Sequence, residues 1–100
     1  MHRLRCGVIY TNPFAAHLTA IYEARTEAET GKVLSLEYTR ATTGSKQVKE
    51  WWRMDWVPGP RVEEHCRFLI GKVPVGINQQ SQRGLKDRCL DFREGTVVIR

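Results

Sequence analysis

VKEWWRMDW, residues Val48 to Trp56, decides how this chain folds, because it holds all three tryptophans and reads in two ways. As a strand, its alternation places Val48, Trp52, Met54 and Trp56 on one face and Lys49, Trp51, Arg53 and Asp55 on the other. As a helix over 45 to 56 with Ser45 at the N-cap, it still lines up Val48, Trp52 and Trp56 at i, i+4 and i+8. Trp52 and Trp56 therefore belong to the core in either reading. Trp51 takes an open sheet face only if the stretch is a strand.

The preceding segment favours the strand. KVLSLEYTR, Lys32 to Arg40, alternates Leu34, Leu36 and Tyr38 against Val33, Ser35, Glu37 and Thr39. ATTGS then supplies a turn with Gly44 available for a positive φ, so residues 46 to 57 are expected to return as the second arm of a hairpin. VPGP stops that arm, since Pro58 and Pro60 cannot donate to a ladder.

Working outward, LRCGVIY, Leu4 to Tyr10, is rich in β-branched and aromatic residues and reads as a strand ended by Asn12-Pro13. Asn12 fits an N-cap and Pro13 a first helical turn, and Phe14, Leu18, Ile21 and Tyr22 recur at helical spacing, which predicts a helix from 13 to about 29 stopped by Gly31. A hairpin turning at Glu29 to Lys32 is the rival, and five alanines, poor strand formers, weigh against it. Downstream, Val62, Cys66 and Leu69 form a stripe between Pro60 and Gly71, which predicts a second helix from 60 to 70. KVPVGI is a short strand that Pro74 assigns to an edge, NQQSQRG reads as a loop, and RCLDFREGTVVIR suggests a closing hairpin about Glu94-Gly95. The resulting order predicts an α+β fold of ferredoxin-like βαββαβ type: one small antiparallel sheet, two helices on one face, and a C-terminal β-hairpin.

One hundred residues supply a core for a single domain, 1–100. A 41% hydrophobic and 27% charged composition is that of a globular chain, since a disordered one lacks the apolar surface to offset its ordering entropy. No apolar run approaches the roughly 20 residues that span a bilayer, and the apolar part of MHRLRCGVIYTNPF is too short for a secretory signal, so no membrane partner and a cytoplasmic location are expected. Cys6, Cys66 and Cys89 are odd in number and widely spaced, which predicts reduced thiols and no disulfide framework. The net charge of +5 favours acidic partners without forming a dense basic tail.

Two candidate sites follow. On the hairpin, Trp51 between Lys49 and Arg53 has the composition of a base-stacking platform with phosphate-neutralising neighbours, and it equally suits a homodimer interface. The acid-free tip adds Arg40 and Lys46, with Thr42, Thr43, Gly44 and Ser45 between them. The second site is a pocket between sheet and helices near Tyr22, His65 and Cys66, which would serve a small molecule or a reaction. A metal there is not expected, because adjacent residues on a regular helix point about 100° apart and no CxxC or HxxxH spacing is present. The glycine-rich loops and nucleophile elbows that would mark a cofactor or an enzyme class are missing too, so no cofactor is expected and enzyme activity stays undecided. The reading is a small binding or accessory module, homodimeric, with nucleic acid as a candidate anionic partner.

Overall fold

The computed structural model describes all 100 residues. Its centre is the hairpin: β3 (Lys32–Thr42) and β4 (Val48–Pro58) pair antiparallel in unbroken register from Lys32↔Pro58 to Thr42↔Val48. The Trp stretch is thus a strand, and Trp52, Met54 and Trp56 share the face of Leu34, Leu36 and Tyr38. At the turn the left-handed residue is Lys46 (φ 61°), not Gly44; its N–H closes on the Thr43 carbonyl at 2.9 Å.

Two helices and two mixed four-stranded sheets make this an α+β protein. The first sheet runs β1 (His2–Arg3), β2 (Ile9–Tyr10), β7 (Cys89–Arg93), β8 (Thr96–Ile99). The second runs β4, β3, β6 (Val73–Gly76), β5 (Arg67–Ile70). One β pairing in each sheet is parallel, β2 with β7 and β3 with β6. The single antiparallel sheet in βαββαβ order is therefore corrected, for three local reasons. The N-terminal strand breaks in two at Gly7 (φ 94°), a turn closed by Gly7 N–H to the Leu4 carbonyl. The C-terminal hairpin joins that short strand rather than the central sheet. And residues 60 to 70 are not a helix.

That segment forms short 3₁₀ turns at Gly59–Arg61 and Glu64–Cys66 and then β5, in which Phe68 and Ile70 are buried while Leu69 is exposed. The Val62, Cys66, Leu69 stripe was a coincidence of spacing; Gly71 (φ 61°) turns the hairpin into β6 instead of capping a helix. Pro74 lies on an inner strand, not an edge. The parallel ladder to β3 begins at Val75, so the missing proline N–H falls beyond it. NQQSQRG, expected as a loop, lies within α2 (Gln79–Leu85) apart from its first residue, Asn78, whose side chain caps the helix by accepting from the Ser81 N–H at 2.8 Å.

The first helix, α1, covers Asn12–Glu23. Its cap is Thr11 rather than Asn12: Thr11 Oγ1 accepts from Phe14 N–H and donates to Asp91 on β7 at 2.6 Å. It stops well short of residue 29, where Arg25 bonds the Tyr22 carbonyl and stacks on the Tyr22 ring, and Thr26 opens a separate turn by giving its N–H to the Glu29 carboxylate. The helix is wedged between the sheets, with Phe14 edge-on to Trp52, Tyr22 near Trp56, and His17 stacked on Phe92 of β7 at 3.9 Å. Phe14, Leu18, Leu34, Leu36, Tyr38, Ile70, Val73, Val75, Ile77, Leu85 and Leu90 complete one continuous core. Each such fully buried side chain contributes about 1.5–3 kcal/mol relative to exposure.

Candidate functional site

The hairpin has a second face, turned away from α1, and the sequence candidates distribute themselves about it. Along β4 the outward residues are Lys49, Trp51, Arg53, Asp55 and Val57; along β3 they are Ala41, Thr39, Glu37 and Ser35. Trp51 stands opposite Thr39 with Ala41 diagonal to it, and these small neighbours leave the indole 52% exposed. Trp52, one residue on, turns into the core.

The cations around Trp51 are not equivalent. Lys49 lies two residues away on the same face, opposite Ala41, free of any acidic partner. Arg53 gives a guanidinium hydrogen to Asp55 at 2.9 Å and sits across from Glu37. Arg40 belongs to the other face, opposite Glu50, whose carboxylate is held below its usual range by the Tyr38 hydroxyl, then by Arg88. Lys46 lies in the turn itself and is exposed. The tip amides of Thr43 and Lys46 are already donated within the turn and Thr43 Oγ1 meets Ser45 Oγ at 3.0 Å, which leaves the Gly44 and Ser45 amides and the side chains for phosphate contacts there. The expected basic set therefore divides: Lys49 shares the outer face with Trp51, Arg53 is paired with Asp55 there, Arg40 lies on the other face and Lys46 in the turn.

Beyond Val57 the same face closes into a cavity of about 380 Å³. Its floor is Ser35 and Gly76, its walls Arg61, Glu63, His65 and Cys66. Tyr22 is not part of it. That residue lies across the sheet beside Trp56, so the expected pocket between sheet and helices, joining Tyr22 to His65 and Cys66, is corrected to one on the outer face without Tyr22. Gly76 permits the cavity wall, since a Cβ there would approach Val62 Cγ1 to 3.0 Å.

Glu63, His65 and Cys66 face one another in this cavity. His65 Nε2 lies 3.2 Å from a Glu63 carboxylate oxygen, and the possible donor atoms of all three are within 4.8 Å of one another. Cys66 is buried, and burial, then Glu63 and Cys6, push its thiol up from the usual value. The sequence sets Glu63 and Glu64 beside His65 and Cys66, but the helix reading points His65 and Cys66 apart and so sets the cluster aside. The signal that could have found it is the tripled donor spacing of E-x-H-C read as a tight turn.

No helix is long and apolar enough to cross a membrane. No protein-family model matches the chain, and no curated protein and no solved structure is significantly similar to it.

Proposed function

We propose that the protein is a small binding module that carries single-stranded nucleic acid across the outer face of the second sheet. One observation supports this above the others: a tryptophan in the middle of a regular strand, half exposed, with small residues around it and Lys49 beside it. An aromatic face stacks on any base, and lysines beside it neutralise phosphate. Trp51 would be the stacking platform and Lys49 its phosphate partner on the same face, with Lys46 in the turn, the Asp55-paired Arg53 and, from the far face, Arg40 adding positive charge. The net charge of +5 draws such a strand in.

The test is quenching of tryptophan fluorescence by oligothymidylate at 50 and 200 mM salt. Two or three phosphate contacts predict a loss of affinity of about 7- to 18-fold over that range for a single strand. Trp51→Ala, followed by the fluorescence anisotropy of a labelled oligothymidylate because the reporting indole is gone, should weaken binding by about 5- to 150-fold, the worth of one stacked base, and Lys32→Ala by much less. Affinity that is flat with salt, or unchanged in Trp51→Ala, would overturn the proposal.

A homodimer is the second reading. β4 runs eleven residues along the edge of its sheet with one side of its backbone unpaired, a template for a second copy, and Trp51 would be covered in such a pair. Light scattering separates the two: dispersal to monomers in Trp51→Ala with no oligonucleotide binding by the wild type favours the dimer.

A further inference from the structure

Glu63, His65 and Cys66 reach one another through a backbone that a helix would not have provided. The Glu63 carbonyl accepts the Cys66 N–H at 2.9 Å, closing a tight 3₁₀ turn that brings the side-chain donors of Glu63, His65 and Cys66 within 4.8 Å of one another. The turn is fastened from three directions: Arg5 bonds the Glu64 carbonyl at 3.4 Å, Gln82 bonds the His65 carbonyl at 3.4 Å, and Ile77 N–H bonds the Cys66 carbonyl at 2.8 Å. The backbone is fixed while the Glu63 and His65 side chains remain exposed and free to turn. That combination gives a rigid frame with adjustable donors.

We propose that Glu63, His65 and Cys66 form a zinc site whose fourth position opens into the cavity on the outer face. A tetrahedral zinc with bonds of about 2.0–2.3 Å sets its donors about 3.5 Å apart. The present atoms lie within 4.8 Å of one another, with His65 and Glu63 at 3.2 Å, so rotation of two exposed side chains completes the geometry. A thiolate, an imidazole and a carboxylate together suit zinc rather than magnesium or calcium, which take oxygen donors. Three protein donors leave one position for water on the side of the cavity that Glu37 and Arg61 also line. The site is independent of the stacking platform: Trp51 is six residues from Val57, about 20 Å along the strand at 3.3 Å per residue.

The experiment uses the full chain, freed of metal by chelator and kept reduced by a phosphine. Zinc is titrated in competition with a chromophoric chelator, and cobalt is used as a spectroscopic substitute. One equivalent should bind, and cobalt should show thiolate charge-transfer absorption that Cys66→Ser abolishes and Cys89→Ser leaves in place. Cys66 is buried, so His65→Ala, at an exposed ring, carries the test where Cys66→Ser fails to fold; it should weaken zinc by at least about 100-fold, more than loss of an outer-shell partner does. His17→Ala, whose ring is stacked on Phe92, should bind as wild type. Failure to bind zinc at micromolar concentration, an unchanged affinity in His65→Ala, or absorption that persists in folded Cys66→Ser would each overturn the proposal.

Discussion

The two faces of the β3–β4 hairpin are built from the same strands and put to opposite use. Inward, the buried Leu34, Leu36 and Tyr38 meet the half-buried Trp52, Met54 and Trp56 and the apolar side of α1. Outward, the register that aligns those residues sets Thr39 against Trp51, Ala41 against Lys49 and Glu37 against Arg53, and the indole is left half exposed. The pleat teaches the difference. A step of one residue moves a tryptophan from holding the fold together to facing outward, so Trp51 and Trp52 differ in role although they are neighbours in sequence.

The comparison breaks if truncation on the inner face is tolerated. Leu36→Ala removes a side chain with no exposure and should lower stability by about 2–5 kcal/mol in denaturant unfolding, where the cavity adds to the lost transfer energy. A loss below about 1 kcal/mol would show that the inner face is not close-packed.

Gly84→Ala sharpens the same point against helix propensity. Alanine in a helix interior should gain about 0.5–1 kcal/mol over glycine. Here its Cβ would come within 2.8 Å of Tyr38 Cδ1, and the Tyr38 ring cannot retreat because its hydroxyl donates to Glu50 at 2.6 Å and accepts from Arg88. Overpacking should win, with a net loss of about 1–3 kcal/mol measured by chemical denaturation.

Asp91 contrasts the first sheet with the inner face of the second, charge with burial. Its carboxylate accepts from Thr11 Oγ1, the Phe92 N–H and Arg93, with Arg100 at 3.0 Å, and the Thr11 hydrogen bond leads in holding its pKa down from 3.8 to about 2. A depressed carboxyl pKa favours the folded state fully above the unfolded value of 3.8 and ceases to do so as pH falls towards about 2. The wild type should therefore lose stability across that window, and Asp91→Asn should start lower at neutral pH and fall less steeply in acid. Parallel acid profiles for the two proteins would contradict this anchoring role.

The smallest effect belongs to the outer face. Trp51→Ala should change unfolding free energy by no more than about 0.5 kcal/mol, the range of surface substitutions without a special partner. A larger loss would mean that the indole supports the fold, and the two faces would no longer differ in kind.

The sequence disclosed this contrast better than it disclosed the topology. β3 alternates cleanly from Val33 to Thr39 and made its strand legible, while the helical stripe of Val48, Trp52 and Trp56 left β4 readable either way until the eleven-residue pairing is seen. The final hairpin was legible from Glu94-Gly95, both at positive φ (52° and 78°). β5 was not, since four residues give only Phe68 and Ile70 as an alternating pair, and three apolar residues at helical spacing outweighed them. α2 hid for the reverse reason: Leu85 is its one apolar residue, only Ser81 is buried with it, and Gly84, a helix breaker in isolation, is required by the approach of Tyr38. The cavity could not be seen at all, because β3, β4, the 3₁₀ turns and α2 meet there from distant parts of the chain. The dismissal of paired ligation by His65 and Cys66 rested on a helix that does not form.

The central claim, that Trp51 alone among the tryptophans meets a partner, is tested most directly by the three indole N–H resonances in a two-dimensional nitrogen–proton spectrum, assigned by single substitutions and followed during addition of oligothymidylate. The Trp51 resonance should shift progressively and saturate while those of Trp52 and Trp56 stay in place. A spectrum in which none moves, or in which Trp52 and Trp56 shift and Trp51 does not, would contradict the account.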